Sequence, residues 1–378
     1  MPSPRVIDVS GPSAFDRGRQ YGSAAADLIR SSIGYYRVAF ERQAGLPWEQ
    51  VLEYVQPWRR LIEDDFPDLL DEMRGIAEGA GVEPAEVVAL NCRGEIMYDN
   101  WFTRPGAPRP TREETDGCTS FSLTGPAAGD GHVYTGQNWD WRHAVRDTVV
   151  LLRVVQPPKP TLVMQVEAGQ VGRHGANSEG FALNANGLGG RFEDKVGVPQ
   201  TVIRRAVLDA PNISDALRVL VRTRPHIASN ALLTHRAGFS IDVETTPGAH
   251  GWEYPVDGVL VHGNHYQAFV PPQLAADHRP MSPDSLVRVP RAREGLRPAA
   301  GLTESADVRA AIHAAMSDHL GHPDSLCSHA DPRLPEVDRW STTVSSCVDL
   351  TSGDYYLAAG PPCENPYQLV PFNLYSEV

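Results

Sequence analysis

The sequence predicts an α+β fold in which sheets are covered on the outside by helices. Three observations predict it. Residues 13 to about 98 place apolar side chains at helical spacing. A proline-rich stretch over 101–117 breaks that pattern. From Cys118 onward, short β-rich runs alternate with helical blocks, as when helices pack outside sheets. A chain of 378 residues suggests two or three domains by length alone, yet α/β-type folds of this size also form one unit.

In the first third, Tyr21, Leu28, Ile29, Ile33, Tyr36 and Phe40 form a one-sided apolar stripe. Pro67 and Pro84 each open a new periodic run, where a first-turn proline loses no hydrogen bond. Met73, Ile76 and Ala77 line one face of the next helix, with Gly79 and Gly81 ending it, and Val87, Val88 and Leu90 begin another. The prolines at 105, 108 and 110 fix φ and remove donors, so 101–117 reads as an exposed, flexible loop. Strands are expected at 119–123, 132–136, 148–155, 161–166 and 181–184, with Asp130-Gly131 turning a hairpin between the first two. Helices follow at 199–209 and 213–223, and strands at 230–235, 239–244 and 258–263. Two more helices near 285–296 and 303–315 precede a closing hairpin of 341–350 and 355–359.

Composition excludes several function classes. A net charge of −13 gains nothing from counterion release, which disfavours nucleic acid and an anionic membrane surface as partners. The N-terminus shows no apolar signal region, and no run approaches the roughly 18 apolar residues of a membrane span. The five cysteines, 92, 118, 327, 347 and 363, include no CxxC pair, which argues against a disulfide scaffold, a zinc ribbon or a thioredoxin-type site. A reduced, cytoplasmic setting is expected.

Cys118 stands after Gly117 at the change from helix to strand pattern. An internal cysteine has a thiol of pKa about 8.5 and no built-in base. If the Gly117–Cys118 bond breaks, Cys118 gains an α-amine of pKa near 7.7–8.0, able to take and return the thiol proton. Attack of the Cys118 thiol on the Gly117 carbonyl, followed by hydrolysis of the resulting thioester, makes that terminus, and glycine tolerates the backbone strain this needs. The plainer reading is a small buried hydrophobe at a strand start.

Other residues gather around this reading. The hairpin returns Gly136-Gln137-Asn138-Trp139-Asp140-Trp141 beside Cys118, so Asp140 can hold a freed amine or simply cap a turn. Glu167-Ala168-Gly169, Asn177-Ser178-Glu179-Gly180 and Asn184-Ala185-Asn186-Gly187 flank turns and offer oxyanion donors or ordinary turn chemistry. His262-Gly263-Asn264-His265 ends an apolar strand, with Asn264 an amide donor. The two histidines invite a metal reading, but no acidic third ligand accompanies them, and no metal is expected. Arg339, ahead of a strand, is a cation over the site or a surface arginine. Three alternatives remain open: a papain-like hydrolase using His262 or His265 as base without chain cleavage, a non-catalytic binding protein that keeps the fold and, third, a metal hydrolase.

In order, these segments resemble the acyl-coenzyme A:6-aminopenicillanic acid acyltransferase (isopenicillin N acyltransferase) family, autoproteolytic peptidases among the N-terminal nucleophile hydrolases. The resemblance rests on Gly18-Arg19-Gln20-Tyr21-Gly22, Arg74 to Ala80, Leu90 to Glu95, Asp116-Gly117-Cys118-Thr119, Gly136 to Asp140, Glu167-Ala168-Gly169 and His262 to His265. It implies a four-layer αββα sandwich with a helical N-terminal segment, cleaved before Cys118 into 1–117 and 118–378, which stay associated as one folded unit. It implies Cys118 as nucleophile, Asp140 as supporting carboxylate, Asn264 as side-chain oxyanion donor with the Gly187 N–H as its partner, and Arg339 as the family's late arginine. Ser120 stands where fungal relatives carry a second threonine and keeps a hydroxyl for processing; Thr246-Pro247 stands where they carry a serine. The implied activity moves an acyl group from a small amide, peptide or thioester onto Cys118 and then to water or an amine. No cofactor is implied, and acyl-CoA enters only as a candidate co-substrate.

Overall fold

Two largely antiparallel sheets stack face to face, and helices cover both outer faces. The computed structural model describes residues 4–97, 117–190, 192, 195–276, 278–280 and 282–376. The loop expected over 101–117 lies outside the described residues except for Gly117.

The N-terminal segment opens on a strand that the helical pattern hides, β1 (Arg5–Ser10). Helices α1 (Ala14–Ala24), α2 (Ala26–Ala39), α3 (Trp48–Tyr54), α4 (Gln56–Asp65), α5 (Pro67–Ala80) and α6 (Pro84–Asn91) follow. Pro67 and Pro84 each sit in a helical first turn, and Glu83 and Glu86 form a reciprocal capping box on α6. Gly81 ends α5 at φ 65°, in the left-handed region that glycine enters at little cost. Gly79, expected at that end, lies inside the helix and has a different task.

That task is a close helix crossing. A Cβ on Gly18 or Gly22 of α1 would lie 2.1 or 2.2 Å from the carbonyl oxygens of Glu72 and Ile76 in α5. A Cβ on Gly75 or Gly79 of α5 would lie 2.1 or 2.2 Å from the carbonyl oxygens of Phe15 and Arg19. Glycines four apart on both helices therefore let the two backbones touch, and the paired glycine motifs have a packing cause.

After Cys118 come β2 (Thr119–Leu123), β3 (Tyr134–Arg142), β4 (Val149–Val155), β5 (Leu162–Glu167), β6 (His174–Asn177) and β7 (Phe181–Asn184). Helices α7 (Gln200–Leu208) and α8 (Ile213–Arg222) precede β8 (Ser229–His235), β9 (Phe239–Thr245), β10 (His250–Glu253) and β11 (Val259–His262). Helices α9 (Ser285–Leu296) and α10 (Ser305–Met316) lead to β12 (Trp340–Asp349), β13 (Asp354–Ala359) and β14 (Gln368–Asn373). The first sheet runs β1-β4-β5-β6-β7-β8-β9-β10, and the second β11-β2-β3-β12-β13-β14. All pairings are antiparallel except β1 with β4. Four short strands, β1, β6, β10 and β14, escape the sequence pattern.

Alternation assigns the faces. Phe121 and Leu123 of β2 pack with Val289, Ala292 and Ile312 under α9 and α10. Ser122 points the other way and hydrogen-bonds Ser240 of β9 at 2.8 Å. Across the same interface Asn184 Nδ2 donates to Thr135 Oγ1 (2.9 Å). The opposite helical layer packs on the first sheet, with Ile29, Tyr36 and Met73 in one core with Trp139, Val150 and Met164. The result is the four-layer αββα sandwich. Residues before and after 117 share that core.

Gly22→Ala or Gly75→Ala should destabilise the protein by about 1–3 kcal/mol through overpacking at the crossing. Gly34→Ala, where a Cβ meets nothing within 4 Å, should instead stabilise by about 0.5–1 kcal/mol through helix propensity. Urea midpoints of the three variants check both signs.

Candidate active site

The register of β2 on β3 builds the site. Thr119 lies opposite Asn138, which carries the pairing back to Cys118 and Gly117 beside Trp139 and Asp140. Cys118 is in no disulfide and is only 1% exposed. Its thiol donates to the Asp140 carbonyl at 3.6 Å. A Cβ on Gly117 would stand 3.0 Å from Asp140 Oδ2 and 3.1 Å from Asp140 Cβ, so a side chain before Cys118 would press on that carboxylate. On the far side of β3, Thr342 of β12 donates to Asp140 Oδ1 at 2.6 Å. Asp140 is therefore clasped between the Gly117–Cys118 bond and a second strand.

Arg288 on α9 ties this corner to Asn264. Its Nη1 donates to the Cys118 carbonyl and to Thr119 Oγ1, each at 2.7 Å, and its Nη2 donates to Asn264 Oδ1 at 2.9 Å. Asp284 anchors its Nε at 2.6 Å. A guanidinium only donates, so the Asn264 atom facing it must be the carbonyl oxygen. The Asn264 amide nitrogen then faces Gly187, donating to its carbonyl at 3.0 Å, and keeps a second N–H for another acceptor. Arg288 is the residue that sequence reasoning missed. The available signal was its place on the buried stripe Ser285, Arg288, Val289, Ala292 and Leu296 of an otherwise amphipathic helix.

Ser120 sits beneath this corner, between the sheets. Its hydroxyl donates to the His262 carbonyl at 3.4 Å and accepts from Asn186 Nδ2 at 3.0 Å. Gln137 Nε2 holds Asn186 Oδ1 at 3.1 Å, so Ser120, Gln137 and Asn186 form one buried relay. Arg339 lies elsewhere in the local network: its guanidinium donates to the carbonyls of Leu334 (2.9 Å) and Pro332 (3.4 Å), ahead of β12. Thus Gly117, Cys118, Asp140, Asn264 and Gly187 gather with Arg288, Ser120 lies just below, and Arg339 binds its own loop.

The histidines are otherwise occupied. His262 Nε2 faces Glu244 at 2.9 Å and Asp242 at 3.6 Å, while Nδ1 meets the Gly263 carbonyl at 2.9 Å. Burial disfavours its charge, but Asp242 and Glu244 outweigh that and push its pKa up to about 9. An imidazolium with both nitrogens donating is a poor base for a thiol. Burial pushes Asp242, in turn, up to about 6. His265 goes the other way: burial, with His262 and Arg288 nearby, drops it to about 4, and its Nδ1 hydrogen-bonds Ser285 Oγ at 2.7 Å. These ring hydrogen bonds go to Glu244, Gly263 and Ser285 rather than to Cys118, which weighs against the papain-like alternative. The Glu167-Ala168-Gly169 turn is also engaged, with the Gly169 N–H donating to Tyr21 Oη at 2.9 Å. It binds the helical segment and offers no oxyanion donor there.

A family model described as acyl-coenzyme A:6-aminopenicillanic acid acyl-transferase matches residues 127–330, more than half of the chain. The chain belongs to this acyltransferase family. The matched stretch carries Asp140, Gly187, Asn264 and Arg288, and lies between Cys118 and Arg339. A family relative, the acyl-coenzyme A:6-aminopenicillanic-acid-acyltransferase 40 kDa form of Emericella nidulans, is 28% identical over 249 residues, 66% of each chain. The chain thus spans just under two thirds of that curated relative's length. Among solved structures, penicillin V acylase from Agrobacterium tumefaciens is similar at 17% identity and TM-score 0.43, over 64% of this chain and 83% of the other. A variant of conjugated bile acid hydrolase from Clostridium perfringens is similar at 14% identity and TM-score 0.43, over 69% of this chain and 95% of the other. Among the described residues of this acyltransferase-family chain, no helix is long and apolar enough to cross a membrane.

The His262 cluster has a pH signature. A pKa raised from 6.5 to about 9 on folding contributes stability that is complete below pH 6.5 and lost as pH rises through about 9. Thermal midpoints should fall across that window, and His262→Gln should flatten the fall even if it lowers the midpoint at neutral pH. An unchanged slope in the variant would place the titration elsewhere.

Proposed function

We propose that the chain is a self-processing N-terminal-cysteine enzyme. It takes an acyl group from a small amide, peptide or thioester onto Cys118 and passes it to water or an amine. The observation that carries this reading is the convergence of the Gly117–Cys118 bond, the Asp140 carboxylate and the Arg288-oriented Asn264 amide at one buried corner.

Processing begins when the Cys118 sulfur attacks the Gly117 carbonyl and its proton passes to the departing Cys118 nitrogen. The C–N bond breaks, a Gly117 thioester forms, and the Cys118 amine is released. Water then hydrolyses the thioester, leaving the Gly117 carboxylate and the free thiol. Asp140, against Gly117, is placed to hold the new ammonium. Its hydrogen bond from Thr342 keeps the carboxylate aimed there.

In turnover the α-amine takes the thiol proton and the thiolate attacks the substrate's acyl carbon. The second N–H of Asn264 and the Gly187 N–H stabilise the oxyanion. Collapse expels the amine or thiol leaving group, protonated by the α-ammonium, and leaves an acyl thioester on Cys118. An amine or water then attacks that thioester and frees the sulfur. Arg288 is a positioning residue: it fixes the Asn264 amide and pins the Cys118 carbonyl without touching the acyl group. Ser120 and its Asn186 relay support the backbone beneath the bond being cut. Arg339 stands for the family's late arginine by resemblance, and its hydrogen bonds to Leu334 and Pro332 hold the loop that leads into β12.

The two chains stay together because their contacts are buried and charged. Arg205 of α7 gives both terminal nitrogens to Glu72 of α5, at 2.7 and 2.9 Å. Arg93 lies 3.2 Å from Glu167, whose Oε2 also accepts from Tyr36 at 3.0 Å. The β1–β4 pairing adds backbone hydrogen bonds across the same divide.

Intact mass spectrometry of purified protein should show two chains split before Cys118, and Cys118→Ala should give one uncut chain. A fully active uncut wild type removes the proposal. In the processed enzyme, Asn264→Ala should lower the acyl-transfer or hydrolysis rate by roughly 10²–10³, scored on a panel of acyl amides and acyl-CoA thioesters with and without amine acceptors. A change below about threefold would make Asn264 structural rather than an oxyanion donor.

A further inference from the structure

Away from Cys118, four side chains from three separate segments converge on one point. His319 follows α10, Cys327 and His329 lie in the loop beyond it, and Cys363 lies between β13 and β14. Their ligating atoms all lie within 4.8 Å of one another. His329 Nε2 stands at the centre: 3.2 Å from His319 Nε2, 3.6 Å from Cys327 Sγ and 3.3 Å from Cys363 Sγ.

Hydrogen bonding does not account for this packing. An imidazole nitrogen carries either one proton or one lone pair, so His329 Nε2 can serve one of its three neighbours well. A cation serves all four atoms at once. The three separations from His329 Nε2 also fit tetrahedral coordination. Zinc–nitrogen bonds of about 2.0–2.1 Å and zinc–sulfur bonds of about 2.3 Å put two nitrogens about 3.3 Å apart, and nitrogen and sulfur about 3.6 Å apart. Those are close to the separations observed. The other ring nitrogen of His329 faces the Glu364 carboxylate at 3.6 Å. That negative charge favours the tautomer with its proton on Nδ1, which leaves Nε2 for a cation.

We infer that His319, Cys327, His329 and Cys363 bind one structural Zn²⁺ ion. The two thiols lose their protons to solvent on binding, and the two thiolates neutralise the ion's charge. Protein side chains fill all four positions, so the ion has no open site for substrate and acts as a staple. The stapled loop rests on the candidate active site. Leu326 O accepts from Asn138 Nδ2 at 2.8 Å, and Ser328, between two of the ligands, exchanges two 3.0 Å hydrogen bonds with Thr342. Thr342 in turn holds Asp140. The zinc therefore fixes the loop that braces Asp140, through Ser328 and Thr342. The site escaped sequence inspection because its ligands follow no short zinc spacing: the only close pair is Cys327-Ser328-His329, and Cys363 comes from beyond a hairpin.

The test is metal content of the full chain, expressed with added zinc and purified without chelator. About one zinc per chain is expected, with Cys118→Ala retaining it and Cys363→Ser and His329→Ala each losing most of it. Cys363 is exposed, so its serine variant should fold. Native protein stripped by a chelator and reloaded with Co²⁺ should show the intense visible absorption of a tetrahedral thiolate site. Chelation should lower the thermal midpoint of the wild type and leave that of Cys363→Ser unmoved. Zinc-free protein that also fails to take up cobalt would overturn the inference. So would unchanged zinc in Cys363→Ser, or a Cys327–Cys363 disulfide in the freshly purified native chain.

Discussion

The pairing of β3 with strands on both sides is the constraint on which the rest depends. β2 lies against one edge and β12 against the other, and every residue of β3 is buried. Side chains alternate faces along a strand, so a slip of one residue would turn Asp140 away and replace it with a tryptophan. The observed register puts Asp140 against Gly117 on one side and under Thr342 on the other. It also sends Trp139 and Trp141 to the opposite face, where the guanidiniums of Arg173 and Arg93 lie 4.0 Å over their rings. One strand thus sets both the candidate chemistry and the seam to the helical segment.

The sandwich is held by buried charge as well as by apolar packing. Arg288, Arg205 and His262 are all removed from solvent, and each meets at least one carboxylate. An unpaired buried charge is expensive, so these groups tolerate few alternative arrangements. Such pairs add less to net stability than their number suggests, yet they hold the layers in one relation. The inner faces of the sheets carry Ser120, Ser122, Thr135, Gln137 and Ser240; Ser122 and Ser240 bond each other across the interface, and Thr135, Gln137 and Ser240 donate to the backbone carbonyls of Phe121, Ala185 and Leu233.

Much of the architecture was legible in the sequence because its signals are local. The helices of the first third follow from apolar spacing, and their prolines and Gly81 sit where helix ends need them. The Asp130-Gly131 turn and the runs on either side foretell the hairpin that returns Asp140 to Cys118. Strand β1 was hidden because a lone parallel edge strand ahead of helices has no hairpin partner to announce it. Gly79 looks like a terminator in the sequence because its role, backbone contact with α1, belongs to a helix more than fifty residues earlier. His262 was read as a base or a ligand because its partners, Asp242 and Glu244, stand on another strand.

The sequence by itself determined the element types, the helix-to-strand change at Cys118, the Cys118–Asp140 neighbourhood and, through ordered motifs, the family. Each of these rests on periodicity, on turn chemistry or on residues joined by one short hairpin. Only the tertiary structure decided that Arg288, 170 residues from Cys118, orients the Asn264 amide. The same holds for the charging of His262 by two carboxylates, and for the meeting of His319, Cys327, His329 and Cys363. These contacts join side chains across layers and loops, where sequence spacing carries no distance, and they exist only once the sheets have stacked and the helices have closed over them.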